Sequence, residues 1–282
     1  MSAGFDTGSS SPISAYLAWG CGWQVGSFWS GPRCSFRSRF FSLSHFFTAQ
    51  SLGKSFGILE VLKGASLWGD AGSVTALLGR NGSGKTTLLE CAFGLKYADY
   101  GVVKVGELAF EHPAPHRLAH LGVFYLPARD LLSPAHTIDR HLKAAALVPL
   151  PARRRTEQCA GEPLEIAERM GIAQIVRQRC FQISGGERRR AQLALALLRC
   201  PRCLLADEPC AGITPANRVA VSETLRELAW QGCAVVITGH DVADVLAVAD
   251  TVTWMAAGTT HQLGTPEEAR RHDQFVREYL GS

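Results

Sequence analysis

The sequence contains no apolar run long enough to span a bilayer as a helix, which excludes a helical membrane-embedded chain. It also lacks a strong charge bias. The formal net charge is +4 over 282 residues, and Arg33, Arg37 and Arg39 against Asp6 supply half of it. The remainder carries too little basic excess for nucleic acid to be an expected partner. Charged residues make up only 19% and hydrophobic residues 46%, the balance of a globular protein and not of a disordered or fibrous one.

A disulfide framework is missing too. Cys21, Cys34, Cys91, Cys159, Cys180, Cys200, Cys203, Cys210 and Cys233 follow no framework spacing, and no convincing secretory signal precedes them. Reduced thiols in a cytosolic protein are the simplest reading. Cys200-Pro201-Arg202-Cys203 has the spacing of half a zinc site. Structural zinc needs four ligands and no second pair is suitably spaced, so Cys203 is read as the first residue of a buried strand.

Formal charge is absent between Thr7 and Pro32, where Trp19, Trp23 and Trp29 are diluted by Gly, Ser, Gln and Pro. That stretch lacks the basic start and continuous apolar run of a signal peptide. Residues 1–43 are therefore read as an extension outside the fold, either poorly ordered or upstream sequence brought in by the choice of start codon. No methionine separates Met1 from Met170, but Val25 or Leu43 could come from alternative start codons. Residues 44–282 are read as the folded domain.

Within that domain short apolar segments alternate with helical patterns, which predicts an α/β architecture. Strands are expected at Phe46–Leu52 and Val61–Trp68 as an antiparallel edge, then at Ser73–Leu78, Val102–Val105, Gly122–Leu126, Cys203–Ala206, Ala234–Thr238, Val252–Met255 and Thr260–Leu263. Helices are expected from Gly84 to Gly94, Gly185 to Leu198, Pro215 to Trp230, Asp241 to Val248 and Pro266 to Tyr279. The stretch of about 130–183 is charged and interrupted by prolines, and it reads as an inserted helical subdomain with helices at Ile138–Leu147 and Leu164–Met170. Its Arg153-Arg154-Arg155 run is read as a solvated face.

Three motifs carry chemistry. Gly79-Arg80-Asn81-Gly82-Ser83-Gly84-Lys85-Thr86-Thr87 fits G-x-x-x-x-G-K-[ST] between a strand and a helix. Its glycines let backbone N–H groups wrap a polyphosphate, and the helix N-terminus adds a favourable dipole. Lys85 is suited to neutralise the β- and γ-phosphates, and the Thr86 hydroxyl to ligate Mg²⁺. The apolar run Cys203-Leu204-Leu205-Ala206 delivers Asp207-Glu208-Pro209 at a strand's carboxyl end, where Asp207 can hold Mg²⁺ and Glu208 can polarise the attacking water. The third motif, Ile183-Ser184-Gly185-Gly186-Glu187, opens a helix and forms a second anion-binding N-terminus.

Together these motifs resemble the ATP-binding cassette (ABC) ATPases, whose signature is Ser-Gly-Gly-Glu/Gln; Ile183 stands where leucine is usual. The resemblance covers roughly Ser44 to Ser282 in the family's motif order. It implies a P-loop NTPase core with an antiparallel β subdomain and an inserted helical subdomain. It implies an ATP hydrolase using Mg²⁺ with ATP, in which Ser184, Gly185, Gly186 and Glu187 of one subunit close on ATP held by another. Phe56 matches the aromatic that stacks on adenine, and His240, in Ile237-Thr238-Gly239-His240-Asp241, matches the switch histidine at the γ-phosphate. Glu187-Arg188-Arg189-Arg190, Glu208-Pro209-Cys210-Ala211-Gly212 and Tyr279-Leu280-Gly281 resemble the branch serving lipopolysaccharide export and branched-chain amino-acid uptake. The implied partners are a second cassette, identical or not, and separate transmembrane permease subunits. The implied location is cytoplasmic, peripheral on the inner face of the cell membrane.

Two positions depart from the family. Ala128, after Tyr125-Leu126-Pro127, stands where a glutamine is usual, and Thr214 stands where an aspartate is usual. Both departures bear on coupling more than on ATP binding, and they keep a low-turnover regulatory cassette open as an alternative. A non-transport cassette is the other alternative. A small-molecule kinase sharing only the phosphate loop is disfavoured by the signature.

Overall fold

The run Val74–Leu78 is apolar apart from Thr75, and all five residues are buried in the third strand of the chain. Strands of this kind need cover on both faces, which a parallel sheet between layers provides. A computed structural model describes residues 45–129, 131–148 and 161–280. The proposed extension, Asp130, the Arg153–Arg155 run, Cys21, Cys34, Cys159 and Gly281 lie outside the described residues.

The described elements are β1 (Phe47–Phe56), β2 (Leu59–Gly69), β3 (Val74–Leu78), α1 (Lys85–Phe93), β4 (Tyr100–Val105), β5 (Leu108–Phe110), α2 (Pro115–Leu121), β6 (Val123–Leu126), α3 (Ile138–Leu147), α4 (Pro163–Arg169), α5 (Gly185–Arg199), β7 (Cys203–Ala206), α6 (Pro215–Trp230), β8 (Ala234–Gly239), α7 (Val242–Val248), β9 (Thr251–Ala256), β10 (Thr259–Gly264), α8 (Pro266–Ala269) and α9 (Asp273–Phe275). They form a four-stranded sheet in the order β2-β1-β4-β5 and a six-stranded sheet in the order β10-β9-β3-β8-β7-β6. The first sheet is antiparallel; the second is parallel except for β10 against β9.

Strand alternation divides the core in two. Leu77, Cys203, Leu205, Ala234 and Val236 point to the side shared with α1 and the antiparallel sheet. Ala76, Leu78, Leu204, Ala206, Val235 and Ile237 point to the other side, shared with α5, α6 and α7. Cys203 is fully buried as the first residue of β7, and burial pushes its thiol well above the ordinary value.

The described residues depart from the sequence expectations at β1, at β5 and α2, and in the last helix. β1 runs on to Phe56, four residues beyond the expected end, because bulges around Gln50 and Ser51 reset its register against both neighbours without ending it. β5 and α2 have no counterpart in the sequence reading; α2 has only seven residues, between Pro115 and the left-handed Gly122. The helix expected from Pro266 to Tyr279 is broken. α8 stops at Ala269, and the His272 side chain then accepts the Phe275 N–H and starts α9, which passes into a π turn, Val276–Leu280. Phe275 is fully buried and edge-on to Trp254, with centroids 5.9 Å apart. Seating that ring re-aims the chain, and tertiary packing overrides helical continuity.

Candidate nucleotide site

Register aligns the ends of the parallel strands. Leu78 lies opposite Gly239, Ala206 opposite Ile237 and Leu126 opposite Ala206. The loops after β3, β8, β7 and β6 therefore leave the sheet along one carboxyl edge, where open parallel sheets bind ligands.

The loop after β3 carries Gly79–Thr87. Gly84, at φ 106°, caps α1 in a left-handed conformation that side chains rarely adopt. Lys85 is only 6% exposed. Its Nζ donates to the carbonyl oxygens of Gly79 at 2.7 Å and Arg80 at 3.2 Å. Burial lowers its pKa, opposed by the charges of Glu208 and Asp207. Asn81, Gly82, Gly84, Lys85, Thr86 and Thr87, with Val61 and Glu208, line an open cleft of about 410 Å³. Arg80 is exposed and Gly79 buried, while the buried Ser83 Oγ has no hydrogen-bond partner among the described residues.

The acidic pair after β7 is held by its neighbours. Thr238 of β8 donates its hydroxyl to Asp207 Oδ1 at 2.6 Å and accepts the Glu208 N–H at 2.8 Å. Asp207 is 1% exposed, and its Oδ2 has no hydrogen-bond partner among the described residues. Glu208 sits at φ 45°, a strained backbone for a non-glycine residue and of a kind that clusters at functional sites. Its carboxylate lies 3.6 Å from His240 Nδ1.

Arg189 of α5 clamps the same edge from below. Its buried guanidinium donates to the carbonyls of Pro127, Asp207, Glu208 and Pro209 and to Gln192 Oε1, at 2.7–2.9 Å. One side chain thus fixes the ends of β6 and β7 to the helix that Ser184 caps. Ser184 Oγ accepts the Glu187 N–H at 3.3 Å and donates to Glu187 Oε2 at 2.7 Å, and Glu187 Oε2 also accepts the Ser184 N–H. These bonds form a capping box. They hold the Glu187 carboxyl below its ordinary value, the Ser184 hydroxyl contributing most.

Lys85, Thr86 and Glu208 line the cleft, and Asp207 and His240 stand behind Glu208 without lining it. Ser184–Glu187 and Phe56 are also not among the residues lining the cleft. Phe56, 46% exposed at the β1–β2 hairpin, has the Lys54 and Lys96 ammonium groups 5.6 and 5.9 Å from its ring centroid. Ala128 is exposed after β6, and among the described residues no glutamine lines the cleft. Sequence reasoning missed Thr238 and Arg189 as parts of the site. Thr238 is a polar residue closing the apolar run Ala234–Ile237, a detectable signal. Arg189 lies in a run of three arginines, and nothing in that run marks it as the buried one beside half-buried Arg188 and Arg190.

The profile of the family described as "ABC transporter" matches residues 62–211. This chain belongs to that family. The cassette is 32% identical over 236 residues to the lipopolysaccharide export system ATP-binding protein LptB of Haemophilus influenzae, covering 83% of the chain and 96% of that relative. It is 30% identical, with the same coverage of both chains, to the arginine transport ATP-binding protein ArgV of Corynebacterium glutamicum. The crystal structure of a nucleotide-free ATP-binding cassette from an ABC transporter superposes with a TM-score of 0.73 at 23% identity, covering 85% of this chain and all of that one. The fold is the ABC ATPase fold, and the protein is an ATP-binding subunit whose ATP hydrolysis powers a transporter. Among the described residues no helix is long and apolar enough to cross a membrane.

Proposed function

We propose that the cassette binds Mg·ATP on Gly79–Thr87, hydrolyses it with Glu208 and His240, and completes its site with Ser184–Glu187 of a second cassette. The observation that carries this reading is the convergence of Lys85, Asp207 and Glu208. A buried cation close to two carboxylates is held there without a strong ion pair, oriented by loop carbonyls that a polyphosphate can replace as its partners.

Asp207 Oδ2, buried and unpartnered among the described residues, and the exposed Thr86 hydroxyl offer hard oxygen donors that suit Mg²⁺. Mg²⁺, when bound, neutralises charge on the β- and γ-phosphate oxygens. Thr238 keeps the other Asp207 oxygen engaged and orients the carboxylate. Glu208 accepts the proton of the attacking water, and His240, 3.6 Å away, donates toward the γ-phosphate. Lys85 and the loop N–H groups hold the phosphates. Phe56, exposed at the β1–β2 hairpin, is the aromatic assigned to stack on adenine.

The partners in this reading are a like cassette, in a homo- or heterodimer, and separate permease subunits at the inner face of the cell membrane; nucleic acid is not a partner. The relatives named for lipopolysaccharide export and for arginine transport are nearly equally identical to this chain, so the cargo is a property of the permease. Affinity purification of the tagged chain from detergent-solubilised membranes tests the reading. Multi-span proteins should co-purify, and the ATPase activity of the complex should disappear in Lys85→Ala. Recovery of the chain alone, or ATPase unaffected by Lys85→Ala, would contradict it.

A further inference from the structure

The first turn of α6 joins both ends of the ATP machinery. Asn217 Nδ2 donates to the Thr214 hydroxyl at 3.0 Å, and its amide packs on Gly186 of the signature helix so closely that a Cβ there would come within 2.3 Å of Nδ2. Arg218, the next residue, reaches the other way. Its guanidinium donates to Asp241 Oδ2 at 3.0 Å, to Asp244 Oδ2 at 2.6 Å and, through Nε, to the Ile213 carbonyl at 3.3 Å. Asp241 directly follows His240 and is the N-cap of α7, accepting the Asp244 N–H at 3.4 Å. Arg218 therefore binds the cap residue, the first turn of α7 and the loop ahead of Thr214 at once. One guanidinium serving two carboxylates and a carbonyl loses less conformational freedom per bond than separate pairs would.

We infer that Arg218 is a positioning residue for His240. It fixes the His240–Asp241 turn against the loop that precedes Thr214, where the family's aspartate is replaced. The inference rests on the role given to His240 above. Rotation of the imidazole depends on the backbone direction at His240, and that direction is set by where Asp241 is held. With Arg218 in place, the loop leading to the signature contact and the switch turn move as one body. Without it, Asp241 keeps only its own cap bond, and His240 samples positions away from Glu208.

Arg218 is not among the residues lining the phosphate-loop cleft, so the effect falls on turnover and not on ATP capture. For Arg218→Ala, kcat should fall about tenfold while the KM for Mg·ATP stays within about twofold, the pattern of a misplaced catalytic group. Arg218→Lys should recover part of kcat. Asp244→Asn should lower kcat in the same direction. The double variant Arg218→Ala/Asp244→Ala should be no slower than Arg218→Ala alone, since both act through one contact. Thermal melts run alongside show that each variant is folded.

A folded Arg218→Ala enzyme with wild-type kcat, a rise in KM at unchanged kcat, or independent losses in the double variant would overturn the positioning role. His240→Ala separates the two readings. If it abolishes turnover while Arg218→Ala does not reduce it, only the positioning role falls. If His240→Ala turns over normally, the site reading falls with it.

Discussion

Thr238 Oγ1 donates to Asp207 Oδ1 at 2.6 Å and itself accepts the Glu208 N–H at 2.8 Å. One buried side chain on β8 thus sets the orientation of two acidic residues that follow β7. Thr238→Val keeps the shape and removes both bonds, leaving a buried carboxylate oxygen and a backbone N–H without partners. Unfolding in urea should show a loss of about 2 kcal/mol. The ATPase kcat should fall at least about tenfold, as for residues that orient metal ligands. Wild-type stability together with wild-type kcat would show that the hydroxyl orients nothing.

The capping box at the head of α5 gives a pH-dependent test. Ser184→Ala should cost the nucleotide-free protein about 1 kcal/mol at neutral pH. The Glu187 carboxyl is held below its ordinary value mainly by the Ser184 hydroxyl. A depressed carboxylate contributes stability that is complete above its unfolded value and is lost as pH falls through the folded value. The gap between wild type and Ser184→Ala should therefore be widest at neutral pH and narrow below the ordinary carboxylate range. Urea midpoints measured from neutral to acidic pH check this; a gap that widens in acid would refute it.

Ala128 offers no hydrogen-bonding side chain at the end of β6, although the backbone there is fixed by the bond from Arg189 to the Pro127 carbonyl. In the proposed reading, Ala128 stands where the family carries the glutamine that reports nucleotide state. Restoring it with Ala128→Gln should change stimulation of ATPase activity by the membrane partner, while shifting Mg·ATP affinity by less than about threefold. Measuring both quantities in reconstituted complexes decides the point. Much tighter ATP binding with unaltered stimulation would show that this position does not carry coupling.

The sequence made the buried parallel strands and the long helices legible, because each is dictated by local chemistry. Val74–Leu78 and Cys203–Ala206 are apolar runs, Pro215 starts α6 where its missing N–H costs nothing, and Gly84 takes a left-handed φ. The candidate phosphate loop and acidic pair stand out for the same reason. What was not readable depends on distant partners. Nothing local says that Phe275 will seat against Trp254 and break the last helix, or that one arginine of Arg188-Arg189-Arg190 will be buried under the ends of two strands. Bulges that carry β1 past Ser51 are likewise settled by its two neighbours in the sheet.

The central claim is that the site is shared between two cassettes, with Glu208 as the carboxylate that drives hydrolysis and Ser184 reaching the ATP of the opposite subunit. Within one chain the Ser184 hydroxyl is engaged by Glu187. Multi-angle light scattering of Glu208→Gln at saturating Mg·ATP tests the claim directly. The predicted result is a stable dimer that reverts to monomer when ATP is withdrawn and does not form when Ser184→Arg is added. Monomer alone at saturating Mg·ATP, or a dimer indifferent to Ser184→Arg, would contradict it.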